Sequence, residues 1–99
     1  MAAPTKLTDM EIQARLPALP GWTLAAGKLH KAFAFGDFVE AWGFMSAVAL
    51  VAESTGHHPE WSNVWNRVTV DLTTHDAAGI SALDFDLAAR MNTLAGKHA

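Results

Sequence analysis

Three of the five histidines in this 99-residue chain stand where they can do chemistry together. His57 and His58 are adjacent in GHHPEW, and His75 follows eighteen residues after the first, in TTHDAAG. An unperturbed imidazole titrates at about pH 6.5, so grouped histidines can both give and take protons near neutrality. Neighbouring side chains diverge on a helix and oppose each other on a strand. The pair therefore serves one small site only where the backbone is irregular. Pro59 predicts that irregularity, because it drives His58 out of the helical region and fixes its own φ. Glu53, just before the pair, and Asp76, beside His75, are placed to orient or polarise the rings.

The competing use of three imidazoles is metal binding. A zinc site needs three or four converging ligands, and neither HExxH nor His-x-His spacing occurs here, so no metal is expected. Trp22 and Trp61 can each supply a flat wall for a planar ligand, with core packing as the equal alternative. His30 and His98 read as ordinary polar residues. No glycine-rich phosphate loop, GxSxG elbow or paired-carboxylate grouping is present. What remains is histidine acid–base work on a small molecule.

Composition narrows the partners. The chain is 51% hydrophobic and 17% charged with a formal charge of −3, which fits one globular domain over residues 1–99. Without a basic patch, nucleic acid is not an expected partner. The absence of cysteine excludes disulfides and thiolate chemistry. The N-terminus has no apolar signal core, and the longest apolar run, Ala47 to Ala52, is far short of the roughly 18 residues of a membrane span. No membrane association is expected, and a cytoplasmic protein is.

The elements that must position the histidines announce themselves by their caps. Thr8 with Glu11, Asp37 with Glu40, and Ser81 with Asp84 each set a capping side chain three residues before an acid. Leu7 with Ile12 and Ile80 with Phe85 add hydrophobic staples. These signals predict helices over Asp9–Leu16, Phe38–Ser54 and Ala82–Ala95, closed by Pro17 and Pro20, Gly56 and Gly96. On the long helix, Phe38, Trp42, Met45, Ala49 and Ala52 read as the core stripe, and on the last helix Leu83, Leu87, Met91 and Leu94. Two hairpins fill the gaps, turning near Ala26–Gly27 and near Asn66–Arg67. Leu29, Phe33 and Phe35 share one face, interrupted by Lys31; Val68, Val70 and Leu72 alternate with polar residues. The expected fold is α+β in the order α-β-β-α-β-β-α, a four-stranded antiparallel sheet with helices packed on one face.

The stretch ESTGHHPEWSNVWNRVTVDLTTHDAAGIS resembles the core of the pterin-4a-carbinolamine dehydratases. It has an acid, three residues, His-His-Pro and an aromatic, then Asn-Val-aromatic-Asn and a later Thr-His. GW at 21–22, FGDFVEAWGFMSAVALVAE at 35–53 and LDFDLA at 83–88 extend the likeness to about 80 residues. The resemblance implies the αββαββα fold and assembly as dimers or tetramers. It also implies dehydration of a 4a-hydroxytetrahydropterin to the quinonoid dihydropterin, with no metal and no cofactor. It gives acid–base roles to His57, His58 and His75, with Glu53, Trp22, Trp61, Thr74 and Asp76 as substrate-binding candidates. An aromatic amino-acid hydroxylase is the implied functional partner. Two departures stand out: Gly56 replaces the acid that many members carry before the pair, and Trp65 stands where a tyrosine is common. Because some relatives bind a transcription factor and stabilise its dimer, an adaptor is the alternative to an enzyme.

An oligomer is expected in either case. The sheet must end in edge strands, which invite pairing with a second copy. Phe44, Val48 and Val51 of the long helix are expected to supply a further contact.

Overall fold

The computed structural model describes residues 4–99. Its elements are α1 (Asp9–Arg15), β1 (Thr23–Ala25), β2 (Lys28–Ala34), α2 (Phe38–Thr55), β3 (Glu60–Val64), β4 (Arg67–Leu72) and α3 (Ala82–Ala95). Short 3-10 turns cover Leu16–Ala18, His75–Ala77 and Gly96–His98. The order and the α+β class are those the caps and alternation predict. Both Thr8–Glu11 and Ser81–Asp84 form reciprocal capping boxes, and Asp37 accepts from the Glu40 N–H at 2.8 Å.

The strands form one antiparallel sheet in the order β1-β2-β4-β3. Registration of Leu29 with Leu72, Lys31 with Val70 and Phe33 with Val68 sends these side chains to the face that the helices cover. Phe33 lies at the centre, with Phe44 at 4.8 Å and Trp22 edge-on at 6.0 Å between centroids. Burying one such side chain contributes about 1.5–3 kcal/mol. The opposite face carries Thr69, Asp71, His30, Lys28 and Glu60 and stays open to solvent.

Lys31 breaks the apolar run yet is only 5% exposed. Its ammonium donates to Pro20 O at 3.0 Å and Asn92 Oδ1 at 2.9 Å, and lies 4.5 Å from the Phe33 ring centroid. Burial pulls it below the ordinary lysine range.

Four expectations need correction. The second hairpin turns at Trp65–Asn66 rather than Asn66–Arg67, with Trp65 in left-handed backbone at φ 50° and Asn63 Nδ2 donating to Trp65 O and Arg67 O. On α2 the buried stripe is Ala41, Phe44, Val48 and Ala52. Phe38 and Trp42 face outward, with Trp42 57% exposed, so they are not core. Phe44 and Val48 are core residues, which removes them from the expected oligomer contact, and Val51 is half-buried against the core. On α3, Leu83 and Leu94 lie at the margin, and Phe85, Ala88 and Ala95 join Leu87 and Met91 inside.

Candidate functional site

The site begins where α2 ends. Gly56 adopts a left-handed conformation at φ 67°, where a side chain would be strained, and its N–H closes the helix onto Ala52 and Glu53. His57 N–H also reaches Ala52 O, at 3.1 Å. This reversal sends the two adjacent imidazoles in different directions: His57 is 8% exposed, whereas His58 projects into solvent.

His57 Nε2 lies 2.6 Å from Asp84 Oδ1. Asp84 sits in the first turn of α3 and is 0% exposed. Its second oxygen accepts from the Thr74 hydroxyl at 2.7 Å and from the Ser81 N–H at 2.9 Å. The Ser81 hydroxyl in turn lies 2.7 Å from Thr74 Oγ1. Among the described residues no buried side-chain polar atom lacks a partner. Because Asp84 is a carboxylate ringed by donors, Nε2 is the His57 nitrogen that donates to it, which leaves Nδ1 outside that bond. Sequence reasoning missed Asp84. Its spacing from Ser81 marks it as a helix-capping acid, which it is; only the folded chain shows it also holding His57.

The other histidines lie on the surface. His58 Nε2 meets Glu53 Oε1 at 2.9 Å, so the expected Glu53 contact is present. His75 opens the 3-10 turn after β4, with its side chain 83% exposed and Nε2 3.4 Å from Glu60 Oε2. Glu60 Oε1 accepts from Lys28 Nζ at 2.6 Å. That ammonium is the main cause holding the Glu60 carboxyl below the usual carboxylate range, and the pairing raises Lys28. The three histidines thus pair with three different carboxylates, His57 with buried Asp84, His58 with Glu53 and His75 with Glu60, and no contact links the rings to one another among the described residues.

The remaining candidates divide. Thr74 is buried in the Asp84 network. Trp61 is half-buried against the core on the inner face of β3, opposite Val70. Trp22 packs into the core and donates its Nε1 proton to Asn92 at 2.9 Å, so its ring is no open wall for a ligand. Asp76 is exposed and forms no side-chain hydrogen bond or ion pair among the described residues. A groove of about 400 Å³ between α2 and α3 is lined by His57 with Thr55, Leu83, Leu87, Asp86 and Arg90; His58 and His75 do not line it. No three His, Asp or Glu side chains among the described residues are grouped closely enough to hold a metal ion.

Residues 5–94 match the family model described as pterin 4 alpha carbinolamine dehydratase. A Solibacter usitatus protein named "Putative pterin-4-alpha-carbinolamine dehydratase" is 56% identical over 91 residues, covering 92% of this chain and 96% of its own. A Rhodopseudomonas palustris (strain BisB18) protein of the same name is 52% identical over 94 residues, covering 93% of each. The crystal structure of a transcriptional coactivator/pterin dehydratase from Brucella melitensis superposes with a TM-score of 0.90 at 45% identity, over 93% of this chain and 100% of that one. A pterin dehydratase-like protein identified as a RuBisCO assembly factor in the alpha-carboxysome gives a TM-score of 0.64 at 33% identity, over 76% and 87%.

Proposed function

The chain belongs to the pterin 4 alpha carbinolamine dehydratase family, and from that premise we propose that it dehydrates a 4a-hydroxytetrahydropterin to the quinonoid dihydropterin. The C4a–O bond breaks with its electron pair leaving on oxygen, which takes a proton and departs as water. The lone pair of the adjacent ring nitrogen forms the new C=N bond as that nitrogen's proton is removed. One base and one acid suffice.

The observation that carries this reading is His57, held at 2.6 Å by a fully buried carboxylate that fixes its protonated nitrogen. With Nε2 committed to Asp84, His57 Nδ1 is the base that takes the ring proton. His58 and His75, each beside a carboxylate and open to solvent, are the groups that deliver a proton to the leaving oxygen and exchange it with water. Glu53, beside His58, and Asp76, next to His75, are substrate-binding candidates, whereas Thr74 acts through Asp84 and Trp61 and Trp22 pack on or in the core. We assign no metal or cofactor to the reaction. The substrate is the adduct that an aromatic amino-acid hydroxylase releases, and both would work in the cytoplasm. Among the described residues no helix is long and apolar enough to cross a membrane.

The test is a dehydratase assay with freshly generated 4a-hydroxytetrahydropterin. Acid–base help of this kind gives about 10²–10⁴-fold over the spontaneous reaction. His57→Ala should lose most of it, and a strong chelator none. A wild-type rate equal to the spontaneous one removes the proposal.

An adaptor without catalysis is the alternative, and one surface feature bears on assembly under both readings. The outward face of α2 exposes Phe38, Val39, Trp42 and Leu50, the last by 75%. A helix apolar on every side is ordinarily covered. We assign this face to a second copy of the chain, in a dimer or tetramer, an arrangement compatible with either reading.

A further inference from the structure

His75 has a fixed backbone and a loose ring. Its 3-10 turn is closed by Thr74 N–H to Gly79 O at 2.9 Å and Ala78 N–H to His75 O at 3.0 Å, with Ala78 in left-handed backbone at φ 56°. The imidazole itself is 83% exposed, and its one polar side-chain contact among the described residues is Glu60 Oε2, at 3.4 Å. An exposed ring samples several rotamers, and an acid–base group works only in the one that reaches the substrate.

Glu60 is not loose in the same way. It opens β3, the edge strand, and its other oxygen is held at 2.6 Å by Lys28 Nζ. Lys28 begins β2, with β4 lying between the two strands, so its side chain reaches over β4 on the open face of the sheet. The chain of contacts thus runs from β2 to β3 and on to the turn that carries His75. We propose that Glu60, anchored by Lys28, is the positioning residue for His75, a role that rests on the dehydratase reading for its catalytic consequence. One carboxylate oxygen is fixed by the lysine and the other faces the imidazole, which limits the rotamers His75 can occupy before substrate arrives.

The surroundings fit an electrostatic clamp. Asp71 stands opposite Glu60 in register, His30 Nδ1 lies 2.9 Å from Asp71, and Asp76 follows His75 in the turn. Arg67 lies at the far end of the same face, paired with Val64. Lys28 is therefore the cation on the Glu60 side of His75, and it offsets the two carboxylates Glu60 and Asp71. That balance lets an acid stay charged beside the ring.

The variants are Glu60→Gln, Lys28→Met and Lys28→Arg, each a surface change that leaves the core untouched. The expected result is a fall in kcat of about five- to tenfold for Glu60→Gln and Lys28→Met, with KM within about twofold of wild type. Lys28→Arg, which keeps the cation, should stay near the wild-type kcat. Side-chain relaxation of selectively labelled histidine should show His75 Cε1–H more mobile in Glu60→Gln and Lys28→Met. Unchanged ring mobility in both variants overturns the proposal, as does a wild-type kcat in both. If the wild-type protein has no dehydratase activity, the functional reading falls separately, and the relaxation comparison alone decides whether Glu60 holds His75.

Discussion

Replacing Asp84 tests the centre of the site and the fold at once. Asp84→Ala strands three donors that the carboxylate satisfies, His57 Nε2–H, the Thr74 hydroxyl and the Ser81 N–H. A buried unsatisfied donor costs about 1–3 kcal/mol, so the three together cost roughly 3–9 kcal/mol. Total stability for a domain is about 5–15 kcal/mol, and at about 4–8 °C per kcal/mol the midpoint should fall by at least about 12 °C. Asp84→Asn separates stability from chemistry. Its amide oxygen still accepts one bond, but its NH₂ faces either the histidine N–H or the Thr74 and Ser81 donors. The loss should be about 1–3 kcal/mol, with kcat down about 100-fold, because His57 is released from its fixed tautomer. Thermal and urea unfolding give the first number, and the dehydratase assay on still-folded protein gives the second. An Asp84→Ala protein that melts within 2 °C of wild type (about 0.3–0.5 kcal/mol) would refute the account of Asp84 as a buried acceptor for these donors.

Two further outcomes follow from the same geometry. The Glu60 carboxyl is lowered from 4.5, first by Lys28, and Lys28 is raised from 10.5, first by Glu60. Stability from the pair is therefore full between those values, is lost as pH falls through the lowered Glu60 value, and is lost again as pH rises through the raised Lys28 value. The difference in denaturation midpoint between wild type and Glu60→Gln should shrink at both extremes, and a constant difference down to the acid limit contradicts this. Trp42→Lys with Leu50→Lys on the outer face of α2 should yield a species at the single-chain mass of 10.6 kDa in sedimentation, where the wild-type chain should sediment as a dimer or larger; a monomeric wild type removes the assembly proposal.

The sequence by itself determined the element order and the caps, and it offered the histidines as candidates. Local signals suffice there: a capping box is settled by residues within four positions of each other, whereas the second hairpin turn fell one residue from its expected place. Ala26–Gly27 forms the first turn with both residues at positive φ, as the reading expects. The three histidines were equally visible, because residue types are read without a fold; how each is paired was not.

Which side of α2 faces inward was a different matter. Glu40 is the sole charged residue from Phe38 to Ala52, so hydrophobic periodicity offers no contrast between faces. The choice of Ala41, Phe44, Val48 and Ala52 over Phe38 and Trp42 was made by the sheet beneath, where Phe33 and Phe35 sit 4.8–4.9 Å from Phe44. Tertiary structure likewise joined Asp84 to His57 across twenty-seven positions. It carried Lys28 to Glu60 across thirty-two. Both pairings depend on the order β1-β2-β4-β3, which brings the end of β4 and the start of α3 against the loop that carries the histidine pair. Contacts of that range have no local signature, since their partners become neighbours only after the sheet has formed.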